Sequence, residues 1–294
     1  MSNRKKILIT GASGFLGSHI VARLKNDECY EVYALSSKPD ELRGRLGGEN
    51  VKYFYKDALN FETMEGTVVV NCAYPRNSTG KAIADGLKYI QTVFETAIKF
   101  KADAIINISS QSVYSQYRTE AATEETPVCL ESPYAVGKYA VELMLESICK
   151  GSETAYTNLR MASLIGPGFD QRIVNRLAKQ ILNQEPITIV RQEKRMGFLD
   201  VEDAVNAIIA VSYAVYPSWQ PVYNVGNGRG YTVEEIYNSV ASELRGRVEL
   251  APVIFENGSD TSSTAVSYER LNRDTGFVPI IDLRKSVKKI IARI

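Results

Sequence analysis

The sequence predicts an α/β protein built on a doubly wound parallel sheet, with a smaller C-terminal α/β lobe. Three observations predict it. Short apolar runs alternate with amphipathic stretches through the first 165 residues, the pattern of strands buried on both faces and joined by crossover helices. The first run leads directly into glycines three apart, at Gly11, Gly14 and Gly17. After Gly166-Pro-Gly168 the regular alternation stops.

Taken in order, Lys6-Ile-Leu-Ile-Thr10 is the first strand. Thr10-Gly-Ala-Ser-Gly-Phe-Leu-Gly17 follows and runs into helical periodicity over 18–25. A strand, a glycine turn and a helix N-terminus together form an anion cradle: tight turn, bare backbone, close helix–strand packing and N–H groups aimed at a pyrophosphate. The second strand, Tyr30–Leu35, ends in Ser36-Ser37-Lys38, where an acid would hold the ribose 2′-hydroxyl of NAD. Two hydroxyls and a cation there favour NADP over NAD. Asp40 starts a short helix, 51–55 is the third strand, and Asp57 at its exit is placed to meet an adenine amine. Thr67–Asn71 is the fourth strand, leading into Asn71-Cys-Ala-Tyr74.

Residues 81–100 form an amphipathic helix, with Ile83, Leu87, Ile90, Val93, Phe94 and Ala97 on one face. Ala104–Ile108 is the fifth strand and delivers Ser109-Ser110 at the carboxyl edge, where open parallel sheets bind ligands. A polar connection over 116–131 leads to Ser132-Pro-Tyr-Ala-Val-Gly-Lys138, with Ser132 as cap and Pro133 in the first turn of a helix reaching Cys149. Tyr134 and Lys138 then share a face one turn apart. A cation beside a phenol favours the phenolate, so the tyrosine can exchange protons nearer neutral pH, with Ser110 polarising the reacting oxygen. The sixth strand covers 153–160. Beyond it come a basic helix over 173–183 with Arg172, Arg176 and Lys179, a strand over 187–190, a charged loop over 191–195 and a helix over 201–215. A strand over 222–226 follows, then a helix from Thr232 to Leu244 opened by a Thr232/Glu235 capping box. Helices over 268–275 and 283–293 close the chain. The division expected is a dinucleotide-binding domain over 1–165, with 198–225 packing back on it, and a substrate lobe over 166–294.

Composition narrows the function. With 35 basic and 34 acidic side chains, a net charge of +1 leaves no electrostatic footprint for nucleic acid or an anionic membrane. No segment reaches the roughly 18 to 20 apolar residues of a membrane span. The start of the chain lacks a signal-peptide pattern, and four cysteines without C-x-x-C spacing read as free thiols. The protein is therefore expected in the cytoplasm. His19 is the only histidine, which removes Ser-His-Asp hydrolysis and multi-histidine metal sites, and it reads as a packing residue. Cys72 likewise reads as packing rather than redox. No metal site is expected.

Several motifs in order now resemble one family. Beside the glycine turn and the Ser132–Lys138 stretch stand Ser109-Ser-Gln-Ser-Val-Tyr114, Glu124-Glu-Thr-Pro127, Leu159-Arg-Met-Ala-Ser-Leu-Ile-Gly-Pro167, Phe198-Leu-Asp-Val-Glu-Asp203 and Tyr223-Asn-Val-Gly226. The chain resembles the extended short-chain dehydrogenase/reductases, the NAD(P)-dependent sugar-nucleotide epimerase/dehydratase group, over nearly its whole length. The resemblance implies a Rossmann-type domain and catalysis by Tyr134 as acid/base, Lys138 as its partner and Ser110 as the orienting hydroxyl. It implies cofactor contacts from Gly11, Ser13, Gly14, Phe15, Leu16 and Gly17, from Ser36, Ser37 and Lys38, and from Asp57, Ala58, Ala73, Tyr134, Lys138 and Met161. Ser110, Ser112 and Ser163 would face the substrate. A homodimer through the 81–100 and 134–149 helices is also implied.

Departures refine the expectation. Relatives that dehydrate a sugar carry an Asp-Glu pair where this chain has Gln111 and Ser112, so a dehydratase is set aside. Arginines that often grip a diphosphate are absent at Met196 and over 260–263. The function expected is hydride transfer at a carbinol or keto carbon of a nucleotide-sugar, by a 4-ketoreductase or 4-epimerase. The alternatives are a reductase of a non-sugar ketone and a non-catalytic dinucleotide-binding sensor.

Overall fold

A computed structural model describes residues 4–58, 65–75, 79–214, 218–250 and 252–294. The expected end of the 201–215 helix at Val215, and the start of the chain through Asn3, lie outside the described residues. The first half runs β1 (Lys5–Thr10), α1 (Phe15–Leu24), β2 (Tyr30–Ser36), α2 (Pro39–Leu46), β3 (Val51–Tyr55), β4 (Thr67–Asn71), α3 (Gly80–Lys99), β5 (Ala104–Ser110), α4 (Pro133–Cys149) and β6 (Ala155–Met161). The second half follows with β7 (Ser163–Ile165), α5 (Ile173–Leu182), β8 (Ile187–Arg191), β9 (Met196–Asp200), α6 (Val201–Tyr213) and β10 (Val222–Val225). It ends with β11 (Gly230–Tyr231), α7 (Val233–Leu244), β12 (Val253–Asn257), α8 (Glu269–Thr275) and α9 (Leu283–Ile291).

Seven strands form the main sheet in the order β10-β6-β5-β4-β1-β2-β3. β1 pairs in parallel with β2 on one side and β4 on the other. The winding therefore reverses between β1 and β4, the switch point at which such sheets bind their ligands. The expected doubly wound parallel sheet is the observed one. The centre of β1, Ile7-Leu8-Ile9, is apolar because both its faces are covered, and all three residues are fully buried. On α3 the deep face is Ile90, Val93, Phe94 and Ala97, packed with Leu8, Val69 and Ile105 of the sheet and Val141 and Leu145 of α4.

One polar line crosses this apolar sheet. Thr10 Oγ1 donates to Asn71 Oδ1 at 2.7 Å, Asn71 Nδ2 to Asn107 Oδ1 at 2.9 Å, and Asn107 Nδ2 to Asn158 Oδ1 at 2.8 Å. Asn158 Nδ2 ends the line on the Pro221 carbonyl at 3.2 Å. Every member is paired with the next, so a single slip of register would strand buried amides without partners.

Contacts divide the chain into two units. The first holds 1–113, 130–160 and 208–223; the second holds 114–129, 161–207 and 224–294. The 114–129 connection belongs with the second unit, where Asn224 Nδ2 donates to the Ala122 carbonyl and Arg118 to that of Ala265. Residues 208–223 group with the first unit. The second unit has its own core, Val174, Leu177 and Ile181 of α5 with Ile236 and Val240 of α7 and Val287 and Ile290 of α9. Its strands form a three-stranded sheet, β11-β9-β7, and a parallel β8–β12 pair.

Candidate active site

α4 begins as its sequence dictates. Ser132 Oγ accepts the Ala135 N–H at 3.1 Å, and Pro133 opens the first turn. Once the helix is set, Tyr134, Lys138 and Glu142 fall one above another at four-residue spacing. Tyr134 is more than a third exposed (37%), whereas Lys138 is 7% and Glu142 4% exposed. The acid/base candidate thus meets the outside while its partners lie beneath it.

The Lys138 ammonium is anchored from three directions. Nζ donates to the Ile108 carbonyl of β5 at 2.8 Å and lies 5.9 Å from the Tyr134 ring centroid and 4.3 Å from that of Tyr74. Burial pushes Lys138 down to about 8, against the opposing pull of Cys72 and Glu142. At neutral pH it still carries its proton, yet it can release it one step above, a property the sequence did not disclose. Burial also pushes the Cys72 thiol up to about 12, so Cys72 is a neutral neighbour. Beneath the lysine, Arg160 binds Glu142 through two nitrogens, with Nη2 to Oε2 at 2.7 Å and Nε to Oε1 at 3.0 Å. The Ser109 hydroxyl donates to the same carboxylate. This buried, fully hydrogen-bonded pair was missed in the sequence. Its signal was there: an acid four residues past Lys138, and an arginine inside a buried strand.

Ser110 ends β5. Its Oγ accepts from Ser112 twice, from the backbone N–H at 3.2 Å and from the hydroxyl at 3.0 Å. Those two donors direct the Ser110 proton outward to another acceptor. Gln111 is buried and neutral, so the residue next to Ser110 is no acid.

The glycine turn fits a dinucleotide. Gly11 has φ +64°, and a Cβ there would come within 2.8 Å of Ala73 N. A Cβ on Gly17 would come within 2.4 Å of the Gly11 carbonyl. Gly14 caps α1 without a side chain, and the first turn holds no acid. An uncapped helix N-terminus beside bare backbone is what a pyrophosphate requires. Phe15, Leu16 and Ser13 belong to this turn. His19 Nδ1 bonds the Phe15 carbonyl at 2.8 Å, a packing role as expected.

At the end of β2 stand Ser36, Ser37 and Lys38. Ser36 is buried, and its Oγ accepts the Lys38 N–H at 2.9 Å. The Lys38 ammonium pairs with Glu41 at 3.0 Å. The Ser36 hydroxyl thus serves its own turn as an acceptor, and the Lys38–Glu41 pair is exposed. Ser37, Asp57 and Ala58 are exposed on the same edge. Met161 and Ser163 fall in the second unit, Met161 buried and Ser163 partly so on β7. Among the described residues no cluster of metal-binding side chains occurs, and no helix is long and apolar enough to cross a membrane.

Residues 7–226 match the model of the NAD dependent epimerase/dehydratase family. The chain belongs to this family. Similar members include Protein CapI of Staphylococcus aureus and a putative UDP-glucose 4-epimerase of Methanocaldococcus jannaschii, each 25% identical over 97% of both chains. Among solved structures, UDP-glucuronic acid 4-epimerase from Bacillus cereus, in complex with UDP-glucuronic acid and NAD, superposes with a TM-score of 0.82 at 22% identity, covering 98% of each chain. MoeE5 in complex with UDP-glucuronic acid and NAD superposes with 0.79 at 26% identity over 98% of each chain. The complexes of these family members hold NAD, and the NADP preference finds no support among them.

Proposed function

We propose that the protein is an NAD-dependent 4-epimerase of a nucleoside-diphosphate sugar. The observation that carries this reading is the buried Lys138 ammonium beneath the accessible Tyr134, one turn apart on α4 and beside the uncapped α1 turn. Bound NAD supplies a hydride acceptor and returns the hydride to the same carbon. Tyr134, as phenolate, takes the proton of the sugar hydroxyl as the carbon is oxidised and gives it back when the carbon is reduced. Lys138 stabilises that phenolate by charge. Ser110, with its proton directed outward by Ser112, donates to the same oxygen and holds it in line. Gln111 and Ser112 lack a carboxyl that could expel a neighbouring hydroxyl, which favours epimerisation over dehydration.

Gly11, Ser13, Gly14, Phe15, Leu16, Gly17, Ala73 and Met161 serve the dinucleotide in this reading, with Asp57 and Ala58 at the adenine. Ser37 and Lys38 lie along the adenosine ribose. The Lys38–Glu41 pair favours NAD there, because a 2′-phosphate would meet the Glu41 carboxylate. Ser163 is assigned to the sugar in this reading. Val136 and Leu143, half exposed and seven residues apart on α4, suit a second copy of the chain. The free thiols Cys29, Cys72, Cys129 and Cys149 suit a reducing compartment.

The test begins with the purified protein and the nucleotide released from it on denaturation, followed by incubation with UDP-glucose and UDP-glucuronic acid. Released NAD and a product inverted at C4 are expected. Tyr134→Phe should lower kcat by about a thousandfold through loss of the proton carrier while the dinucleotide stays bound. Tighter binding of NADPH, or full turnover by Tyr134→Phe, would overturn the reading.

A further inference from the structure

The loop after β4 places one more side chain against the reacting pair. Tyr74 lays its ring over the Lys138 ammonium at 4.3 Å, closer than the Tyr134 ring at 5.9 Å. The two phenol rings meet edge to face, with centroids 5.3 Å apart and planes at 84°. Tyr74 Oη also reaches the Tyr134 carbonyl at 3.5 Å. α4 makes room for this ring: a Cβ on Gly137 would lie 2.1 Å from Tyr74 Oη. Gly137 stands between Tyr134 and the lysine, so the absence of a side chain there admits Tyr74 to the pair.

We propose that Tyr74 is a positioning residue for the acid/base pair: its π face keeps the Lys138 ammonium charged beneath Tyr134, and its edge fixes the Tyr134 ring. The inference rests on the reading of Tyr134 and Lys138 as the proton-handling pair. The groups facing Lys138 are the Cys72 thiol and Tyr74 from the loop after β4, the Ile108 carbonyl from β5, and Tyr134 and Glu142 from α4. The thiol is neutral at working pH. The Glu142 carboxylate is already shared between Arg160 and Ser109. The Tyr74 face is therefore the nearest uncommitted source of negative potential, in a desolvated setting where a cation–π contact is strongest. Loss of the ring releases the lysine proton earlier, and with it the charge that stabilises the Tyr134 phenolate.

The experiment follows the Lys138 side-chain resonances by lysine-labelled NMR against pH, assigned by their loss in Lys138→Arg, in the wild type, Tyr74→Phe, Tyr74→Leu and Gly137→Ala. This readout needs neither substrate nor turnover. Tyr74→Phe should titrate as the wild type does. Tyr74→Leu keeps the site dry but removes the π face, and should lower the titration of Lys138 by about one pH unit. Gly137→Ala displaces an intact Tyr74 and should lower it in the same direction, so a folding defect in one variant leaves the other to decide. Where a nucleotide-sugar is turned over, the alkaline limb of kcat should move down with the titration while KM stays. An unmoved Lys138 in Tyr74→Leu, or equal shifts in Tyr74→Phe and Tyr74→Leu, would overturn the proposal. Absence of turnover in the wild type would overturn the epimerase reading alone, since the titration still decides the role of Tyr74.

Discussion

In the first unit buried polar side chains run in lines from strand to strand and down α4, whereas in the second two buried carboxylates at the junction of β9 and α6 tie down the end of the chain. The first unit holds the Thr10–Asn71–Asn107–Asn158 line and the Lys138–Glu142–Arg160 stack. The second holds Asp200, which accepts from Ser286 Oγ at 2.5 Å and Lys289 at 3.0 Å. Beside it Asp203 accepts the N–H groups of Ile280 and Ile281 at 3.1 and 2.8 Å. These carboxylates fasten α9 and the segment before it, while the rest of that core is mostly aliphatic side chains of α5, α7 and α9, with Phe198, Tyr231 and Tyr237 among them. The difference teaches where the fold tolerates change. A satisfied polar network specifies one arrangement and leaves an unpaired group when any member is lost. An aliphatic core accepts other shapes of similar volume. Chemistry that needs fixed distances sits in the first kind of surroundings, and variation of ligand is compatible with the second.

The strongest way to break this comparison is Glu142→Gln. It leaves the Arg160 guanidinium buried without its counter-charge, and unfolding stability should fall by about 3–5 kcal/mol in urea titrations. The double replacement of Glu142 by Leu and Arg160 by Met should recover most of that loss, because both charges then leave together. A loss below about 1 kcal/mol for the single variant would mean that the stack is not the rigid element it is taken to be.

The next effect is a pH dependence with a defined sign. The folded-state pKa of Lys138 is about 8, below its ordinary value of 10.5. Below pH 8 both states carry the proton, and folding bears the full penalty of burying it. Between pH 8 and 10.5 the unfolded chain binds more protons than the folded one, so the Lys138 contribution to stability rises with pH, by about 3 kcal/mol in all. Other groups titrate over the same range, among them Lys5, also lowered by burial. The measure is therefore the difference between the wild type and Lys138→Met, which should lack this rise. Parallel curves for the two proteins would remove Lys138 as a buried cation.

How much was legible follows the same division. The parallel strands announced themselves, because burial on both faces makes each an unbroken apolar run, as in β1 and β4. Ser132, Pro133 and the Tyr134–Lys138 spacing declared α4 and its face. The second unit was harder. β12 exposes Ile254 and Phe255 and shows no alternation, β11 is two residues long, and β9 follows a charged loop and runs directly into α6. Its helices, through period and caps, and the 187–190 strand were readable. At the site, residue types and their order were visible, but not what lay opposite them. Tyr74 and Arg160 are 60 and 22 residues from Tyr134 and Lys138 along the chain, and only the fold sets them against α4. At the Ser36-Ser37-Lys38 turn the composition was plain, but the pairing of Lys38 with Glu41 on α2 was not read.

The smallest effect belongs to the second unit. Thr232 Oγ1 accepts the Glu235 N–H at 3.1 Å while Glu235 Oε2 accepts the Thr232 N–H at 2.8 Å, the reciprocal cap that the sequence predicts. Thr232→Ala removes one of these bonds and exposes a helix donor to water rather than stranding it in a core. The loss should be about 1 kcal/mol, and Thr232→Gly should lose only a few tenths. The denaturant slope should not change, since α7 keeps Ile236 and Val240 against α5 and α9. A loss as large as that of Glu142→Gln would show that the second unit is held by its polar ends rather than by its aliphatic core, and would reverse the comparison between the two units.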